Sequence, residues 1–268
     1  MVKKVMLNTE PFLHGNLVIV PEPLTESAGP LRVVVLHGWG NSRENIRPLA
    51  TQLAALGEVW VVDLPGHGTS PAPAITTTPA MMAEAVNAWL ATLPPCPTVV
   101  VGHSMGFRVA AHMAALQPKA FKGLVAVAGA GVPRPLTFKK RLRKVGIRLA
   151  IGMAKRFKSV LGDGVLTALR KKYGSRDYNA ANPAMKPTFL AVVNDDITPL
   201  CSGLSMPVLL IYGSDDTETP PALGETLHKL LAASKFVVLP HHTHASVLEG
   251  GRHLVAREIL TFTLPFVV

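Results

Sequence analysis

Ser104 has the strongest claim to chemistry in this chain. It lies in Val99-Val100-Val101-Gly102-His103-Ser104-Met105-Gly106, where a β-branched run ends in G-x-S-x-G and an apolar-periodic segment (Val109, Met113, Leu116) follows. Strand, sharp turn and helix in that order raise a serine hydroxyl above the end of a sheet. Side chains at positions 102 and 106 would crowd such a turn, and both are glycine. The chemistry implied is nucleophilic attack. A serine hydroxyl is a poor nucleophile until a base takes its proton, and the base needs a third group to orient it. Charge developing on an attacked carbonyl needs backbone N–H donors, and the amide of Met105, directly after the serine, is one.

Two later stretches offer the remaining groups. Asp215 and Asp216, with Glu218 as a weaker competitor, follow the apolar run Pro207–Tyr212. His241, His242 and His244 follow the run Lys235–Leu239. Both sets fall where a strand ends, the place at which open α/β sheets gather ligands. Closely spaced histidines are also a metal-ligand pattern. This loop sits where the serine needs its base, so no metal is expected.

These groups require a frame. Strands are predicted at Val2–Leu7, Leu17–Val20, Leu31–Leu36, Glu58–Val62, Val99–Val101, Phe121–Ala128, Pro207–Tyr212 and Lys235–Leu239. Helices are predicted near residues 44–56, 79–93, 221–232 and 250–262, with another after the serine turn through Val109, Met113 and Leu116. Strands alternating with helices imply an α/β fold: a mostly parallel, doubly wound sheet with helices on both faces. From about residue 131 to 205 the alternation stops.

At these residues the chain resembles the α/β-hydrolase family, in its cap-bearing subgroup of esterases, lipases and C–C bond hydrolases. The resemblance spans residues 31–264 and rests on four motifs, each after a predicted strand. Gly213-Ser214-Asp215-Asp216-Thr217-Glu218-Thr219-Pro220 is similar to the family's G-x-x-D-x-x-x-P, which implies Asp216 as the acid and Asp215 as a turn residue. The family's histidine usually has a glutamate five residues on; Glu249 stands in that relation to His244, implying His244 as the base, with Thr243 where the family has Gly. His37-Gly38-Trp39-Gly40 resembles H-G-x-G and implies the Trp39 amide as the second oxyanion donor beside Met105. Asp63-Leu64-Pro65-Gly66-His67-Gly68-Thr69-Ser70 resembles D-x-x-G-x-G-x-S, read as structural. His37, Gly38, His103 and Phe107 are the further candidates for the substrate pocket; Phe107 stands where the family often has another Gly.

The resemblance implies a serine hydrolase that cleaves carboxylic esters through an acyl-enzyme on Ser104, His244 and Asp216, without metal or organic cofactor. C–C bond hydrolysis or acyl transfer on the same residues is the first alternative. A non-catalytic lipid- or partner-binding scaffold is the second. Serine at 104, where related dehalogenases and epoxide hydrolases carry Asp, argues against those two chemistries.

The resemblance also implies a core formed by residues 1–130 and 206–268, with residues 131–205 as a basic helical cap. Of the formal net charge of +10, residues 132–200 hold 15 Lys/Arg against four Asp, which leaves the rest nearly neutral. Within it, Phe138, Leu142, Val145, Leu149, Met153, Phe157 and Val160 recur at helical spacing among basic residues. Three readings compete: a solvated cap face, a helix on an anionic membrane surface, and steering of an acyl or otherwise anionic substrate. Sparse aromatics and the lack of a recognition motif argue against nucleic acid. No apolar run reaches the roughly 20 residues of a spanning helix. The short apolar tract near the N-terminus does not read as a signal peptide, and Cys96 and Cys201 lack metal-type spacing, so a cytoplasmic location is expected.

Overall fold

Short runs of Val, Ile and Leu buried on both faces are the material of parallel strands sandwiched by helices. The computed structural model describes residues 9–25, 29–133, 156 and 176–267. Its strands are β1 (Phe12–His14), β2 (Leu17–Pro23), β3 (Leu31–Leu36), β4 (Gly57–Asp63), β5 (Thr98–His103), β6 (Phe121–Val127), β7 (Val208–Gly213) and β8 (Ser234–Leu239). They form one sheet in the order β1-β2-β4-β3-β5-β6-β7-β8. Strand β2 runs antiparallel to both neighbours, and from β4 to β8 every pairing is parallel. The described helices are α1 (Arg43–Ala50), α2 (Pro79–Leu90), α3 (Met105–Leu116), the short α4 (Arg176–Ala180), α5 (Lys186–Asn194), the short α6 (Thr198–Cys201), α7 (Pro221–Leu230) and α8 (Arg252–Thr263).

Alternation along each strand divides the core into two layers. Val33 and Val35 of β3 pack with Ile46 and Leu49 of α1 and with Val255 and Ile259 of α8. Val34 and Leu36 pack on the other face with Met82 and Val86 of α2 and with Val109 and Met113 of α3. Burying each such side chain contributes roughly 1.5–3 kcal/mol, which holds the register that aligns the strand ends.

The elements follow the sequence pattern closely, with three differences. The helix expected over 44–56 is α1 followed by a 3-10 turn at Thr51–Leu56. Pro48 lacks an amide hydrogen, and the chain must tighten into Gly57, whose φ is 130°. The helix expected over 79–93 ends at Leu90, before Pro94 and Pro95. Strand β1 was not anticipated, because three residues carry too little pattern. The strand expected at Val2–Leu7 and the apolar stripe from Phe138 to Val160 lie outside the described residues.

The chain divides into two compact units, residues 1–132 with 187–268, and residues 133–186. Residues 187–201, which the expected boundary at 205 places in the insertion, group with the first unit. Long-range bonds within the first unit explain this. The Thr77 amide donates to the Thr188 hydroxyl at 3.0 Å, and the Ile197 amide to the Gly131 carbonyl at 3.0 Å. Arg108 and His112, on α3, both hold Asp195. No described helix is long and apolar enough to cross a membrane.

Candidate active site

Ser104 ends β5 and opens α3 with φ 51° and ψ −113°. A residue bearing a Cβ at positive φ costs of order 1–3 kcal/mol and persists only where its surroundings enforce it. Here the Ser104 amide donates to the Val127 carbonyl at 3.0 Å, and the Ser104 carbonyl accepts from the amides of Phe107 and Ala130, both at 3.1 Å. A Cβ on Gly102 would lie 2.4 Å from Gly106 and Phe107 backbone atoms, and one on Gly106 would lie 2.4 Å from the Leu36 carbonyl. The glycines of G-x-S-x-G are thus a steric requirement of this turn.

The loop after β3 comes from the neighbouring strand and packs on the serine. A Cβ on Gly38 would stand 2.8 Å from His103 Nδ1 and 3.2 Å from Ser104 Cβ. His37 is fully buried and both ring nitrogens are engaged: Nδ1–H donates to the Gly38 carbonyl at 2.8 Å, and Nε2 accepts from the Leu64 amide at 3.0 Å. Burial, aided by nearby His67, lowers its pKa to about 4, so the ring is neutral. The Trp39 ring stands edge-on to His67 at 4.8 Å and to Phe189 at 5.1 Å, which limits how its amide is turned. The neighbouring D-x-x-G-x-G-x-S loop folds around Asp63, whose carboxylate accepts from the Arg43 amide at 2.7 Å, the Thr69 amide at 2.9 Å and the Thr69 hydroxyl at 3.0 Å.

The loops after β7 and β8 bring a carboxylate to an imidazole. Asp216 Oδ1 accepts from the amides of Glu218 and Thr219, both at 2.7 Å. Asp216 Oδ2 accepts from His244 Nδ1–H at 2.8 Å. Burial alone would raise the Asp216 pKa; the hydrogen bond and charge of His244 and the bonds from Thr219 outweigh it and hold the acid below its ordinary value. Two of the competing residues point elsewhere. The His242 ring packs beside Gly251 and its Nδ1–H donates to the Pro240 carbonyl at 2.7 Å. The Asp215 carboxylate accepts from the Ser214 hydroxyl at 2.7 Å.

Ser104 and His244 are brought near each other through His103. His103 Nε2–H donates to the His244 carbonyl at 3.2 Å, and the two rings lie 4.8 Å apart. Among the described residues no hydrogen bond joins the Ser104 hydroxyl to the His244 imidazole, whose Nε2 faces the Glu218 carboxylate at 3.7 Å. Such serine–histidine bonds are often long before a substrate is bound. Of the further pocket candidates, His37, His103 and Phe107 are buried, so their side chains shape the turns instead of forming an open surface.

Three contributions were not read from sequence. The Thr219 hydroxyl lies 2.8 Å from Asp216 Oδ2, 2.9 Å from the Ala128 carbonyl and 3.0 Å from His244 Nδ1. Its place inside G-x-x-D-x-x-x-P was the only available signal. The His103–His244 tether and the Glu218–His244 approach join residues far apart or in different roles, and no local pattern marks them. Together these loops place an imidazole bonded to a buried carboxylate after β7 and β8 and a strained serine turn after β5, with the amides of Trp39 and Met105 in the flanking turns.

Residues 32–251 match the family described as alpha/beta hydrolase fold. The chain is 31% identical over 235 residues to the pimeloyl-[acyl-carrier protein] methyl ester esterase of Chromobacterium violaceum, covering 83% of this chain and 91% of that protein. It is 29% identical over 241 residues to the enzyme of that description from Neisseria meningitidis serogroup B, covering 84% and 90%. Among solved structures, a thermophilic esterase from Thermogutta terrifontis has a TM-score of 0.68 at 23% identity, covering 94% of this chain and 95% of that one. A membrane phospholipase A has a TM-score of 0.73 at 21% identity, covering 97% and 86%. At those identities the two structures speak to the fold alone. The strained serine turn, the parallel sheet beneath it and these likenesses agree: the chain belongs to the α/β-hydrolase fold family.

Proposed function

We propose that this chain hydrolyses carboxylic esters through an acyl-enzyme formed on Ser104. His244, oriented by Asp216, takes the serine proton as the hydroxyl attacks the ester carbonyl. The oxyanion is received by the Trp39 and Met105 amides. His244 then gives the proton to the departing alcohol, and a water activated by the same imidazole releases the acid. The reading rests above all on the 2.8 Å bond between His244 Nδ1 and Asp216 Oδ2, because it leaves Nε2 as the nitrogen available to the serine. Likeness to esterases named for methyl esters on an acyl-carrier protein supports ester hydrolysis and favours a small, neutral alcohol as the leaving group. The excess of 15 Lys/Arg over four Asp in residues 132–200 suits steering of an acyl or otherwise anionic substrate.

A panel of methyl esters of increasing acyl length, run with the native protein and Ser104→Ala, tests the reading alongside labelling by a fluorophosphonate probe. Turnover that depends on Ser104, with the label on that residue, is the expected result. Undiminished turnover in Ser104→Ala would place the chemistry elsewhere.

A further inference from the structure

Glu218 is not used by the proposed reaction, yet it stands on the side of the imidazole where the leaving group must depart. Its amide donates to Asp216 Oδ1 at 2.7 Å, so the backbone of Glu218 belongs to the cradle of the acid. Its side chain reaches past the ring to the opposite nitrogen, placing Oε2 3.7 Å from His244 Nε2. The two carboxylates therefore bracket one imidazole, Asp216 at Nδ1 and Glu218 at Nε2. Their exposures differ sharply: the Asp216 side chain is 0% exposed and that of Glu218 is 66% exposed. Asp216 is locked by amide, hydroxyl and imidazole donors, whereas the Glu218 carboxylate is turned to solvent, and among the described residues it lies nearest to His244 Nε2.

The position has a direct consequence for substrate choice. To protonate a departing alcohol, Nε2–H must come within about 3 Å of its oxygen. Substituents on that alcohol then lie within a few ångströms of the Glu218 carboxylate. Among the described residues, the other ionisable groups around the imidazole do not offset this charge. Asp216 is also acidic, and His103 is buried and held neutral, its pKa lowered to about 3 first by burial and then by His244.

We propose that Glu218 is a specificity-determining residue that screens the alcohol portion of the ester by charge, admitting neutral and cationic alcohols and disfavouring anionic ones. This rests on the ester-hydrolase reading above, since it takes His244 Nε2 as the leaving-group acid. Two charges at such a separation near solvent alter the rate by roughly three- to tenfold after screening.

The test uses three esters of the best acyl chain from the methyl-ester panel: the choline ester, the n-propyl ester and the 3-sulfopropyl ester. The quantity read is the ratio of kcat/KM for the choline ester to that for the sulfopropyl ester, taken within each protein. A general loss of activity in a variant cancels from that ratio. We expect the native ratio to exceed that of Glu218→Gln by about three- to tenfold, Glu218→Lys to lower it further, and 0.5 M NaCl to shrink the native excess. A ratio unchanged in both variants, with Ser104 still required for turnover, overturns the charge screen and leaves the hydrolase reading intact. Turnover independent of Ser104, or none with any ester, removes the reading and the inference together.

Discussion

His103 Nε2–H donates to the carbonyl of His244 at 3.2 Å, joining residues 141 apart in the chain. The bond ties the loop after β8 to the turn that carries Ser104, so the imidazole and the hydroxyl are referred to one another through backbone. His103 is consequently a positioning residue. Its loss should lower kcat while leaving KM within about twofold, because its bond acts on the loop that carries His244. We expect His103→Phe to reduce kcat about tenfold and His103→Gln, which keeps a donor, to recover part of that loss. Equal loss in both variants, or an effect confined to KM, would contradict the tether.

Removal of the reacting groups should be far more severe. Ser104→Ala is expected to cut turnover by at least about 1000-fold, and Asp216→Asn by a similar order. Thr219→Val keeps the amide bond to Asp216 Oδ1 but deletes the hydroxyl that lies 2.8 Å from Oδ2 and 3.0 Å from His244 Nδ1. A milder loss of about three- to tenfold is expected there. Steady-state kinetics on the best methyl ester separate these two ranks.

The turn glycines can be tested by stability alone. Gly102→Ala places a methyl 2.4 Å from backbone atoms that cannot move without breaking the elbow, whereas Gly250→Ala meets nothing within 4 Å. We expect the first to destabilise by about 3 kcal/mol or more and the second to stay within about 1 kcal/mol of the native protein. Urea unfolding followed by circular dichroism measures both.

Two buried histidines make stability depend on acid. Burial lowers His37 to about 4 and His103 to about 3 from an ordinary 6.5. Below pH 6.5 the unfolded chain takes up protons that the folded chain refuses, so stability falls as pH drops from 6.5 toward 4. Each ring contributes up to about 1.4 kcal/mol per pH unit over that window. His37→Gln should flatten the slope of unfolding free energy against pH; an unaltered slope would mean that the ring is not held neutral.

Much of this molecule was written locally. Leu31–Leu36 is the predicted strand residue for residue, because its five apolar side chains favour burial on both faces, while Arg32 is paired with Glu58. Gly102 and Gly106 announced the serine turn because sterics within a few residues require them. The order of motifs along the chain announced the parallel sheet, since each carboxyl end carries one. Position 216 was singled out from its neighbour by motif register, and position 244 from two other histidines in the same way.

Tertiary structure decided what depends on separation in space. Amino-acid order placed three histidines on one loop, but only the packing of that loop directs His242 to the Pro240 carbonyl and His244 to Asp216. Glu218 read as a weaker rival to the acid, and the fold instead sets it against the opposite ring nitrogen. Residues 187–201 carry no motif that ties them to the core, and their bonds there, through Thr188, Asp195 and Ile197, are made to partners distant in the chain. Local sterics and periodicity act within a turn or two of backbone and so are visible in the order of residues. Hydrogen-bond partners across 28, 87 or 141 positions are chosen by how whole elements pack, and only coordinates record that choice.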